Sequence, residues 1–194
     1  MQIRASKTED IPAIMAIYDK ARAFMEQTGN PTQWGDGYPK QELIEDDLRQ
    51  EHSYVCVKEG RIVGTFTLIF GDDPTYQLIE DGEWHSERPY GAIHRVASDG
   101  TAKGVAGACF DFCKEKIDYL RIDTHEANKP MQAAILRYGF QKCGVIYTRD
   151  GSPRIAFDYL VKQQNLECMT SRNSFLGAFI TINIPLYYNL RKIC

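Results

Sequence analysis

Ala92-Ile93-His94-Arg95-Val96-Ala97-Ser98-Asp99-Gly100-Thr101-Ala102-Lys103-Gly104-Val105-Ala106-Gly107 passes from an apolar run to a chain of small residues and then into a helical pattern. Ala92 to Ala97 reads as a strand, Ser98 to Lys103 as a loop, and Gly104 to about Ile117 as a helix with Val105, Cys109, Phe112 and Lys116 on one face. Small residues at 100, 102, 104, 106 and 107 let the backbone turn tightly and let a ligand approach the amides. A helix start carries unpaired N–H groups and a partial positive charge, which together suit a pyrophosphate, and Lys103 adds a point charge there. The stretch contains neither G-x-G-x-x-G nor G-x-x-x-x-G-K-[ST], so it is neither a dinucleotide fingerprint nor a Walker loop. On these residues alone, tight packing explains the turn as well as anion binding does.

Upstream, Ile3 and Arg4 form a short strand. Ile11, Ile14, Met15, Tyr18, Ala21 and Met25 then recur every three or four residues, with Thr8 as the expected N-cap and Gly29-Asn30-Pro31 as the stop. A second helix is expected over about 41–50. The β-branched runs 54–57 and 62–70 flank Lys58-Glu59-Gly60-Arg61 as a hairpin. The connection 71–90 exceeds the about 12–15 residues usual in compact domains and reads as a lid on the substrate side. Downstream come a strand at 119–124, a helix from Asn128 to Tyr138 ended by Gly139, and strands at 140–147 and 155–161 joined by Asp150-Gly151-Ser152-Pro153. Hairpins mixed with strand–helix–strand crossovers imply an α/β or α+β fold, a single sheet with helices on both faces.

With 43% hydrophobic and 25% charged residues in 194, the chain has material for one sizeable core. A net charge of -3 without a basic block argues against nucleic acid as a partner. The polar start Met1-Gln2-Ile3-Arg4 lacks a secretory signal's apolar core, so a cytoplasmic protein is expected, with no membrane partner. Four of the six cysteines sit in apolar or periodic segments and read as buried thiols; their spacing supplies no metal set. Residues 1–162 form the expected domain. Residues 163–194 are an extension whose apolar part, 175–188, is too short for a bilayer needing about 20 residues. It reads as an added strand or a packing arm, with a homodimer interface one place for it, or equally as a foreign addition to the chain.

Two segments resemble one family. Thr101-Ala102-Lys103-Gly104-Val105-Ala106 resembles the [Q/R]-x-x-G-x-[G/A] loop of GNAT acetyltransferases, with Thr101 in the Gln/Arg position. About twenty residues on, Leu120-Arg121-Ile122-Asp123-Thr124-His125, Asn128-Lys129-Pro130-Met131-Gln132 and Tyr138-Gly139-Phe140 are similar to the family's strand, Asn-capped helix and terminal L-G-F. The similarity runs from Gln2 to Leu160 and implies a mixed, mostly antiparallel, twisted sheet of six to seven strands. It implies acetyl-CoA as cofactor, with Val96, Ala97 and Ser98 beside the pantetheine arm, Thr101, Ala102, Lys103, Gly104, Val105, Ala106 and Gly107 at the pyrophosphate, and Asn128 on the pantetheine side. Ile135 departs from the pattern, since many members carry there the Tyr that protonates the departing thiolate. Tyr138 is the substitute, roughly 60° short of a full helical turn away.

The reaction so implied moves an acetyl group to a primary amine of a small molecule or peptide. His94, on the strand beside the implied thioester, and His125, at the end of the next strand, are candidate bases because an imidazole titrates near neutrality; Glu83 and His85 are others. Trp34, Tyr38, Trp84 and Tyr90 are candidate walls of the acceptor pocket, and the acidic residues of 72–81 would favour a cationic amine. The rival reading is a non-catalytic acyl-CoA-binding regulatory module, to which Ile135 lends weight.

Overall fold

The first helix, α1 (Ile11–Gln27), follows a single 3₁₀ turn over Thr8–Asp10. The expected cap at Thr8 is displaced. Asp10 instead accepts the Lys7 amide at 2.8 Å and pairs through both oxygens with Arg4, satisfying the helix start while anchoring it to the first strand. The computed structural model describes residues 1–161. Their strands are β1 (Gln2–Ala5), β2 (Ser53–Lys58), β3 (Arg61–Phe70), β4 (Gly91–Ser98), β5 (Tyr119–Thr124), β6 (Gln141–Tyr147) and β7 (Pro153–Leu160). The remaining helices are α2 (Gln41–Arg49), α3 (Val105–Lys114) and α4 (Lys129–Tyr138). The extension at 163–194 and its suggested interface lie outside the described residues.

One sheet runs in the order β1-β2-β3-β4-β5-β7-β6. Every neighbouring pair is antiparallel except β4 and β5. Alternation along the strands divides the core into two layers. Val55 and Ala97 face Ile14, Ile17 and Tyr18 of α1 and Ile44 of α2. Cys56, Phe66 and Ile122 face Cys109, Phe110 and Cys113 of α3 and Ile135 of α4. The expected mixed sheet with helices on both faces is therefore what the chain forms. On α3 the buried stripe is Val105, Cys109, Phe110 and Cys113, not the expected line through Phe112 and Lys116. Contact with α4 widens the buried face toward Phe110, whose ring packs on Tyr138 and Phe140.

The connection 71–90 is not a free lid. Glu80 and Val145 exchange both backbone hydrogen bonds at 2.8 Å, and the Glu83 amide donates to the Cys143 carbonyl at 3.1 Å, so the segment extends the sheet beyond β6. It covers an edge that would otherwise expose unpaired groups.

Candidate active site

β4 and β5 pair only from Gly91 with Leu120 to Ile93 with Ile122. Beyond that point β4 runs to Ser98 and β5 to Thr124 unpaired with each other, and a cleft of about 1030 Å³ opens there. Residues of both helical layers reach it, among them Phe24 and Asp47 on one side and Ala106 and Met131 on the other. The cleft is built from a failure of pairing between parallel strands.

A bulge in β4 directs the failure. Thr67 opposes His94 and Thr65 opposes Ala97, so Arg95 and Val96 together face Phe66. Arg95 takes the left-handed conformation, φ 54°. Its guanidinium donates to both oxygens of Asp47 at 2.8 and 2.6 Å and to the Tyr38 hydroxyl at 3.3 Å, while its carbonyl accepts from Tyr18. Left-handed backbone costs a non-glycine residue about 1–2 kcal/mol, whereas stripping one partner from a buried ion pair costs about 3–5 kcal/mol. The Arg95–Asp47 pair, both side chains buried, therefore sets the shape of the bulge.

Just past β4, Asp99 accepts the Thr101 amide and hydroxyl at 2.9 and 2.6 Å, which closes a turn. Gly104 stands at the α3 N-cap with φ 78°, the conformation that favours glycine. Among the described residues, none of the amides of Ala102, Lys103, Gly104, Val105, Ala106 and Gly107 donates to an acceptor of the protein; the first bond into α3 is Ala108 to the Gly104 carbonyl at 3.0 Å. A side chain built at Gly100, Gly104 or Gly107 would meet nothing within 4 Å. The row of donors is unpaired; of its residues Ala106 lines the cleft, as does Gly100 just ahead of it. These residues fit a diphosphate: orphan amides at a helix start with no side chain above them.

The opposite part of the cleft holds ionisable groups. His94 Nε2 lies 2.9 Å from Asp73 Oδ2, with both side chains mostly buried, although the approach is poorly aligned for a hydrogen bond. The ring of His94 stacks on Tyr76, whose hydroxyl donates to Asp123 at 2.9 Å. Burial pushes the Asp73 carboxyl up, but His94 and Thr75 more than offset this and hold it well below the usual carboxylate range. Burial pushes the Asp123 carboxyl up and prevails over the nearby His94 and Arg154. Asp123 and Arg154, on the paired strands β5 and β7, stand 3.8 Å apart and both line the cleft.

Of the residues singled out in the sequence, the cleft takes His94, Val96, Ala97, Ser98, Ala106, Asn128, Trp34 and Tyr38. Asn128 caps α4 by accepting the Met131 amide at 3.2 Å, and its Nδ2 donates to Gln33 at 2.9 Å, so its side chain ties a loop to the cleft wall. Others are elsewhere. Tyr138 donates to Asp111 at 2.8 Å and packs among Phe110, Phe140 and Tyr159, away from the cleft. His125 turns Nδ1 to accept the Ala127 amide at 3.1 Å, stabilising the turn after β5. Trp84 and Tyr90 sandwich the Arg121 guanidinium at 4.1 and 4.0 Å, a packing role rather than a pocket wall. His85 bonds Asp158 at 2.8 Å outside the cleft. Asp47, Asp123 and Arg154 escaped the sequence reading, yet charges at Arg121 and Asp123 inside an otherwise apolar strand were an available signal.

By sequence, the chain matches no protein-family model and no curated protein. By structure it is similar to a GNAT-family acetyltransferase of Streptococcus agalactiae, with TM-score 0.76 and 30% identity over 84% of this chain and 96% of that one. A GNAT-family acetyltransferase of Listeria monocytogenes shares the fold at TM-score 0.62 and 18% identity, covering 82% of this chain and 94% of that one. The ribosomal-protein-S18-alanine N-acetyltransferase of Escherichia coli shares it at TM-score 0.54 and 14% identity, over 85% and 97%. A mixed sheet parted between its two parallel strands, with open amides beside the parting, is the fold of an acetyltransferase. The chain belongs to the GNAT family.

Proposed function

We propose that the protein transfers acetyl from acetyl-CoA to a primary amine of a small molecule or peptide, and that the acceptor arrives as a cation. The observation that carries this reading is the cleft itself, which runs from Ser98–Gly100 and Ala106, beside the unpaired amides that open α3, to the His94–Asp73–Asp123 group. Acetyl-CoA supplies the activated thioester. The amides from Ala102 to Gly107 receive its diphosphate, and the unpaired edge of β4 from Val96 to Ser98 aligns its pantetheine arm. Asp73 and Asp123 draw an ammonium into the cleft and orient it. His94, fixed between Asp73 and the face of Tyr76, takes the proton that the ammonium must lose before its nitrogen can attack the acyl carbon; the second N–H proton leaves as the carbon–sulfur bond breaks and goes by way of solvent to the departing thiolate.

Tyr138 has no part in this scheme, because its hydroxyl belongs to the packing of α3 on α4. Buried Ile135 likewise offers no proton to the leaving thiolate, and that absence favours the second reading, a module that binds acyl-CoA without turnover. One experiment separates the two: a thermal shift with acetyl-CoA, followed by an amine panel scored by release of free thiol. A shift with thiol release upholds the transferase, a shift without release across the panel supports the binding module, and no shift removes both.

A further inference from the structure

Outside the cleft, three segments distant in sequence bring three ligand atoms together. Asp158 of β7 accepts the His85 amide at 2.9 Å and the Tyr119 hydroxyl at 2.7 Å through Oδ2, while Oδ1 lies 2.8 Å from His85 Nδ1. Cys143 Sγ lies 3.4 Å from the same ring nitrogen. The three donor atoms all fall within 4.8 Å of one another. A β-bulge produces the third arm: Lys142 opposes Phe157 and Gly144 opposes Ala156, leaving Cys143 as the extra residue. The first arm is delivered by the backbone bonds that clamp residues 80–83 to β6.

The geometry excludes a relay. In a thiol–imidazole–carboxylate triad the sulfur and the carboxylate address opposite ring nitrogens, whereas here both converge on Nδ1. Cys143 is also 7% exposed and poorly placed for attack on a substrate. Convergence of three donors on one point is what a shared cation requires. Asp158 is 3% exposed, and among the described residues its only potentially cationic partner is His85. Arg121, opposite Asp158 on β5, makes no ion pair with it; its guanidinium is taken up by Trp84, Tyr90 and the Ser86 carbonyl.

We propose that His85 Nδ1, Cys143 Sγ and Asp158 Oδ1 bind one zinc ion, with water in a fourth, solvent-facing position beside the exposed ring of His85. One nitrogen, one sulfur and one oxygen donor suit a borderline-soft ion better than calcium or magnesium. Tetrahedral bonds of ~2.0–2.3 Å would set the nitrogen ~3.3 Å from the oxygen and ~3.5 Å from the sulfur, so the sulfur already stands at the right distance from the ring and the His85 nitrogen must withdraw from Asp158 by about half an ångström. On binding, the Cys143 thiol releases a proton to solvent and the imidazole is neutral with its lone pair on the ion. The ion would pin the connection 71–90, and with it Asp73 and Tyr76, to the far edge of the sheet. The site stands independently of the acetyl-transfer reading.

The test uses the full chain, reduced and stripped of metal with a chelator, in competition with a zinc-responsive dye. One equivalent of Zn²⁺ should bind with a Kd of about 1 µM or tighter, weaker than four-ligand structural sites. About 100 µM Zn²⁺ should raise Tm by roughly 5–10 °C. Co²⁺ in its place should give a near-ultraviolet sulfur-to-metal charge-transfer band. Cys143→Ser should abolish the band, His85→Gln, at an exposed position, should weaken uptake at least tenfold, and Cys168→Ser/Cys194→Ser should leave both unchanged. Absence of uptake by the wild type, uptake without the charge-transfer band, or uptake unaltered by Cys143→Ser and His85→Gln would overturn the site.

Discussion

At the scale of single residues, the cleft's chemistry rests on His94 and the carboxylates beside it. An imidazole wedged between a carboxylate and an aromatic face keeps one orientation, and orientation is what a proton acceptor needs before its basicity matters. His94→Ala is expected to lower kcat at least about 100-fold in the thiol-release assay while leaving the acetyl-CoA thermal shift intact. Asp73→Asn tests the same arrangement through stability. Burial raises the Asp73 carboxyl, but the neighbouring His94 ring and the hydrogen bonds from Thr75 prevail, so its folded value is depressed below the ordinary carboxylate range. A depressed carboxyl adds stability above its unfolded value and loses it as the pH falls through the folded value. The variant should therefore melt about 2–6 °C below wild type at pH 7, and the gap should narrow below about pH 4, where the unfolded chain's carboxylate takes up a proton that the folded one still resists. A gap that stays constant down to pH 3 would show that no ionised Asp73 supports the fold.

At the scale of elements, the start of α3 is held where a ligand can use it. The helix comes down onto the end of the sheet because residue 64 is glycine: a Cβ there would stand 2.5 Å from Val105 Cγ1 and 3.0 Å from the Ala97 carbonyl. The amides ahead of Ala108 consequently sit against the end of β4 and remain free. Gly107→Glu should move two properties in opposite directions. Replacing glycine in a helix, and adding an acid to its first turn, should stabilise the protein by about 1 kcal/mol. The same carboxylate stands among the proposed diphosphate donors and should raise the KM for acetyl-CoA about tenfold or more. A variant with raised Tm and unchanged KM would mean that the diphosphate lies elsewhere.

At the scale of the molecule, the seven-stranded sheet and both helical layers are complete within Met1–Val161. The last strand closes with the Val161 amide on the Asp118 carbonyl at 2.7 Å. A chain ending at Val161 is expected to melt cooperatively and to bind acetyl-CoA within about threefold of the full chain's Kd, an energy difference under 1 kcal/mol, measured by calorimetric titration. Failure of that shorter chain to fold would make residues 162–194 part of the core. No helix among the described residues is long and apolar enough to cross a membrane.

Elements were legible in the sequence because periodicity and punctuation are local. The β-branched run 62–70, the three-to-four spacing from Ile11 to Met25 and Gly139 after Tyr138 each act within a few residues, and each element formed within two or three residues of its expected ends. The loop from Thr101 to Gly107 was legible for the same reason, since unpaired amides at a helix start follow from the backbone whatever packs nearby. Partnership across the chain was not. Whether Tyr138 or His94 reaches the cleft, and that Trp84 closes on Arg121, depends on where strands stop pairing and on bulges of one residue in β4 and β6. One extra residue turns a side chain from one face to the other, and its cost is settled by contacts such as Arg95 with Asp47, 48 positions apart. Such contacts leave no periodic trace along the chain, so they exist only once it has folded.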